Sequence, residues 1–146
     1  MSILSRLFGG PLPADPLERA LLAHATGAGS KVWLERELSG AQVFMLLHGD
    51  PGAVAAGAPA QPLAVSTPTG ETVACLFTSA AQAEELQSAH PECLGGIRVD
   101  FAWVLATLPE GYGLVINPGD ASFLFQSAED VVRLRRDLGD PMRKVA

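Results

Sequence analysis

Thr78, Ser79, Asp100, Asn117 and Gly119 are the residues of this 146-residue chain whose types and spacing fit a binding chemistry. Each follows an expected strand: the apolar runs Val73-Ala74-Cys75-Leu76-Phe77 before Thr78-Ser79 and Gly113-Leu114-Val115-Ile116 before Asn117-Pro118-Gly119, and the short strand Ile97-Arg98-Val99 before Asp100. If the three strands are parallel, their carboxyl ends share one edge of a sheet. Ligands of open α/β sheets bind at such an edge, and free amides at helix N-termini there would suit an anionic or amino-acid-like molecule. The same residues also have plainer tasks. Ser79 and Asp100 stand where helix caps belong, and Asn117-Pro118-Gly119-Asp120 is turn chemistry.

Other chemistries find less support. No Ser sits in a Gly-x-Ser-x-Gly elbow, and no Gly-x-x-x-x-Gly-Lys-Ser/Thr loop is present to cradle a phosphate. Cys75 falls inside an apolar strand and reads as a small hydrophobe, whereas Cys93 follows His-Pro-Glu in an expected loop and is the better candidate for a reactive thiol. His24, His48 and His90 fall on different elements, and His48-Gly49-Asp50 alone is too few ligands for a metal. Glu84-Glu85 and Glu129-Asp130 are adjacent pairs, which a helix points in different directions. The sequence therefore assigns no catalytic residue, no cofactor and no metal site.

Charge narrows the partners. A net charge of −6 repels phosphate backbones, so nucleic acid is not expected. Basic residues nevertheless cluster late, at Arg133, Arg135, Arg136, Arg143 and Lys144. Arg133, Arg135, Arg136 and Trp103 are the candidates for contact with an unknown protein partner, and a homodimer through a helix face or sheet edge is the other association considered. Ile3, Leu4, Leu7 and Phe8 have helical spacing, but no long apolar run with a basic lead precedes residue 15. Neither a signal peptide nor a membrane span is expected, and the cytoplasm is the expected location.

The elements that must position these residues are written in capping and turn signals. Asp15-Pro16-Leu17-Glu18 opens a first helix, and Ser30 opens a second over 31–38. Residues 42–47 form a strand too apolar for a half-exposed edge. Residues 48–61, nearly all Gly, Ala and Pro, read as a long loop. Strands over 62–67 and 71–77 flank Pro68-Thr69-Gly70 as a hairpin. Helices follow at 80–89 and 101–108, strands at 97–99 and 113–117, and a last helix from Ser127. Ser79 with Gln82, and Ser127 with Asp130, have capping-box spacing. The expectation is one α/β (α+β) domain with a mixed, roughly five-stranded sheet and helices packed on it.

Leu76-Phe77-Thr78-Ser79 ahead of a helix, and Gly113-Leu114-Val115-Ile116-Asn117-Pro118-Gly119 near the end, resemble the two signature stretches of the SseB N-terminal domain family. The order of the parts resembles it too, over roughly 18–138. The resemblance implies an α/β domain of a bacterial protein with no settled biochemical activity, and it brings no catalytic residues. Members often have a second, C-terminal domain that this sequence does not show, and 48–61 reads as an insertion. The expected organisation is an N-terminal segment (1–14), the SseB-like domain (15–139) and a basic tail (140–146). A non-catalytic interaction or regulatory module is the function expected, with a small-molecule binder or enzyme at the strand-end edge as the alternative.

Overall fold

The computed structural model describes residues 15–57 and 61–138. In chain order these form α1 (Pro16–Ala25), α2 (Lys31–Ser39), β1 (Gln42–Leu47), α3 (Pro51–Ala55), β2 (Ala64–Ser66), β3 (Thr72–Phe77), α4 (Ala80–Ala89), β4 (Gly95–Asp100), α5 (Phe101–Thr107), β5 (Tyr112–Ile116), β6 (Leu124–Gln126) and α6 (Ala128–Leu138). The strands make one mixed sheet in the order β4-β1-β3-β5-β6, with β2 pairing to β3. β3 and β5 are parallel, and the other pairs are antiparallel.

β1 and β3 pair only at Phe44 with Phe77 and Met45 with Leu76. Beyond that point the strands part, and Leu63, just ahead of β2, enters between them. The Leu63 amide donates to the Leu46 carbonyl at 2.9 Å, and the Cys75 amide donates to the Leu63 carbonyl at 3.0 Å. The expected hairpin is present, closed by a 2.9 Å bond from the Gly70 amide to the Thr67 carbonyl with Gly70 at φ 89.

The central strands read as unbroken apolar runs because both faces of the sheet are covered. Val43, Met45, Leu47, Ala74, Leu76, Leu114 and Ile116 pack on one side with residues of α1, α2, α5 and α6. Leu46, Val73, Cys75, Phe77 and Val115 pack on the other with Ala83 of α4. The alternation within each strand is the two-residue period of extended chain. Gly96 has a packing reason: a Cβ there would lie 2.5 Å from the Met45 carbonyl oxygen and 2.6 Å from the Phe44 ring.

Four sequence expectations need correction. Residues 48–61 are not wholly loop, since Asp50 caps α3 through the Gly52 amide and Pro51 takes its first position. β6 was not expected, so the sheet has six strands. Gln82 completes only half of a capping box: its amide donates to Ser79 Oγ at 3.3 Å, while its side chain donates to Glu18 at 3.0 Å. Asp100 occupies the cap position of α5 without a side-chain cap bond. Ser127 and Asp130 do form the reciprocal pair, at 3.1 and 3.2 Å. Segments 1–14 and 140–146, with Arg143 and Lys144, lie outside the described residues.

Candidate functional site

The parallel pairing of β3 and β5 brings Thr78 and Asn117 together at the ends of their strands. Asn117 Oδ1 accepts the Thr78 amide at 2.9 Å, and Asn117 Nδ2 donates to Thr78 Oγ1 at 3.0 Å and to Ser122 Oγ at 2.9 Å. Ser122 in turn donates to an Asp120 carboxylate oxygen. Thr78, Asn117 and Ser122 are 3%, 1% and 2% exposed, so the cluster is interior. Asn117 itself adopts φ 51, a left-handed backbone that Asn tolerates better than most residues. Gly119 at φ 83 completes the turn, with the Asp120 amide bonded to the Asn117 carbonyl at 3.1 Å.

Two of the five strand-end candidates thus bond each other, and two stand beside them, Ser79 capping α4 and Gly119 in the turn. The fifth does not join. β1 lies between β3 and β4, and Asp100 faces Gln42, whose amide reaches its carboxylate at 3.4 Å. Sequence reasoning missed Ser122, because the partner of a turn Asn five residues on has no spacing signature. A polar cleft of about 600 Å³ opens on the neighbouring surface, lined among others by Glu18, Arg36, Glu37, Ser79 and Arg98. Arg98 Nη2 lies 3.5 Å from the Thr78 carbonyl at its floor.

A second cleft, of about 780 Å³, lies toward the other ends of β3 and β5. Its walls come from Met45, Val54, Pro62, Trp103, Leu108 and Tyr112, with His48, Gln61 and Thr107 among its polar members. α5 builds the wall through a division of its faces: Phe101, Val104 and Leu105 are buried, while Trp103 is 39% exposed. The residue that fixes α5 is Arg135 of α6. Its Nε donates to the Leu105 carbonyl at 2.7 Å and its Nη2 to the Leu108 carbonyl at 2.9 Å, occupying carbonyls that a helix end leaves open.

The basic candidates on α6 therefore separate. Arg135 is tied to α5. Arg133 reaches Asp130 at 3.5 Å, and its Nε is buried without a partner. Arg136 is largely exposed, 3.7 Å from Asp137.

Neither thiol is placed for chemistry. Cys93, expected in an open loop, is 4% exposed within the second core cluster, and burial raises its pKa. Burial, with Cys93 as a lesser cause, pushes Cys75 up to about 11. Among the described residues no group of three or more His, Cys, Asp or Glu could hold a metal, and no helix is long and apolar enough to cross a membrane.

The family model for the SseB protein N-terminal domain matches residues 17–129. No curated protein and no solved structure matches the chain. The match spans both strand-end stretches, the buried Thr78–Asn117 pair and the whole six-stranded sheet, and on it the chain belongs to the SseB N-terminal domain family.

Proposed function

We propose that the chain is a non-catalytic binding module of the cytoplasm that works through protein contacts, with the cleft beside Trp103 as its contact surface. One observation carries this reading. The polar groups at the strand ends are spent on one another, whereas the apolar cleft is open and has a partly exposed Trp on its wall. Trp and Tyr anchors in partly preformed concavities are where interface energy concentrates. Arg135 of α6 supports the cleft by holding the Leu105 and Leu108 carbonyls, and Arg136 stands exposed on the same helix.

The test is affinity capture from native lysate with wild type, Trp103→Ala and Arg136→Glu in parallel, after circular dichroism has confirmed that all three are folded. A stoichiometric partner lost in Trp103→Ala is expected, with weaker loss in Arg136→Glu. Wild type that captures nothing, or a partner that survives Trp103→Ala, refutes the reading. Capture of the chain's own second copy would make the module a homodimer.

A second reading rests on the polar cleft. Arg36 and Arg98 share it with Glu18 and Glu37, a set of opposite charges suited to an anionic or amino-acid-like ligand. A thermal shift with such a metabolite that disappears in Arg98→Gln would favour it over protein contact.

A further inference from the structure

We propose that the cleft beside Trp103 takes an uncharged, proline-rich peptide segment in the extended polyproline conformation. This rests on the reading of that cleft as the contact surface and adds the chemistry of the partner.

Charge selects first. The chain carries a net −6, yet among the described residues no Asp, Glu, Lys or Arg lines this cleft. A charged side chain entering it would lose hydration and find no counter-charge. The occupant is therefore neutral.

Hydrogen-bonding capacity selects next. Four uncommitted side-chain donors stand on the walls: the Trp103 indole N–H, the Tyr112 hydroxyl, the Gln61 side-chain amide and the His48 imidazole N–H. None of these four side chains donates to another described residue; only their backbone groups are engaged. A helix or a paired strand brings carbonyls already engaged, whereas a polyproline segment has no internal hydrogen bonds and presents every carbonyl free. Unspent donors beside aromatic rings match that ligand, because pyrrolidine rings pack flat on Trp and Tyr while their carbonyls accept from the same residues.

Rigidity completes the fit. Trp103 stands on a helix whose other face is buried and whose end is held by Arg135, so little needs to be ordered on binding. A polyproline segment is likewise preorganised. The volume of about 780 Å³ accommodates a few residues of such a chain and not a folded domain.

The probe is a neutral, capped peptide of about ten residues, mostly proline with two leucines, roughly 30 Å long in this conformation. Trp33→Phe leaves Trp103 as the sole reporter of the two Trp residues. Titration is expected to give a saturable blue shift of Trp103 emission. A version with every proline changed to alanine, and one with both leucines changed to glutamate, are expected to bind at least about tenfold more weakly, the equivalent of roughly 1.4 kcal/mol. Tyr112→Phe, which keeps the ring and removes one donor, is expected to weaken the proline peptide about fivefold.

Equal binding of the alanine peptide would overturn the polyproline assignment while leaving the cleft as a contact surface. Equal binding of the glutamate peptide would overturn its neutrality. No saturable change with any peptide would overturn the inference, and lysate capture through Trp103 would then show separately whether the contact surface stands.

Discussion

Replacing Asn117 with alanine tests whether the strand-end cluster is a structural lock. The substitution removes the acceptor of the buried Thr78 amide at 2.9 Å and the donor to Thr78 Oγ1 and Ser122 Oγ at 3.0 and 2.9 Å. A buried amide left without a partner costs about 1–3 kcal/mol. The backbone at φ 51 adds a second cost, since a left-handed residue bearing a Cβ is disfavoured by about 1–2 kcal/mol and alanine lacks the local hydrogen bonds that ease it for Asn. Together these give a loss of about 3–4 kcal/mol, a large share of the roughly 5–15 kcal/mol that holds a domain folded. With a urea slope of about 2 kcal/mol per molar, the unfolding midpoint falls by about 1.5–2 M. Asn117→Gly separates the two parts, because glycine accepts the positive φ and recovers about 1 kcal/mol of the loss. A midpoint change below about 0.5 M for Asn117→Ala, on the same urea slope, would show that the cluster does not lock the strand ends. Equal losses for Ala and Gly would remove the backbone part of the argument.

Arg135→Met, which keeps the stem and deletes both bonds to the C-terminal end of α5, is expected to lower stability by about 1–3 kcal/mol, whereas Arg136→Ala changes it by less than about 0.5 kcal/mol; urea melts of the two variants decide. Ser79→Ala loses a cap and is expected to cost about 1 kcal/mol, while Asp100→Ala, with no side-chain cap bond to lose, stays near neutral in the same melts. Both thiols are expected to resist a disulfide reagent in the folded chain at pH 8 and to react at once in denaturant. Because burial raises the folded pKa of Cys75 to about 11, its contribution to stability is full below its ordinary value near 9 and is lost as pH climbs toward 11. A stability that stays flat across that interval would contradict the burial.

The elements with strong local signals were legible. Asp15-Pro16, Ser30 and Ser127 all cap the helices expected of them, and the apolar runs of β1, β3 and β5 were visible because helices cover both faces of the sheet. α3 carried the same Asp-Pro signal at Asp50-Pro51 but was obscured by the surrounding Gly and Ala. β6 is three residues long, and Phe125 next to buried Leu124 is too short an alternation to separate from a turn. Asn117 was recognisable as special, yet which way its side chain turned depended on β5 lying beside β3. The Trp103 cleft assembles residues from β1, α3, β2, α5 and β5. No spacing along the chain encodes such a meeting. Arg135 read as surface charge for the same reason, since the carbonyls it holds belong to another helix.

The place of β1 between β3 and β4 has a consequence for the order in which the molecule assembles. The β2–β3 hairpin closes locally, but the other side of β1 waits for a partner as distant as Asp100, 58 residues beyond Gln42. Until that segment is synthesised, Val43, Met45 and Leu47 stand on a strand with a row of unpaired amides and carbonyls. The nascent chain thus passes through a length at which it is adhesive, and a fragment ending before Gly95 is expected to aggregate where the longer chain folds.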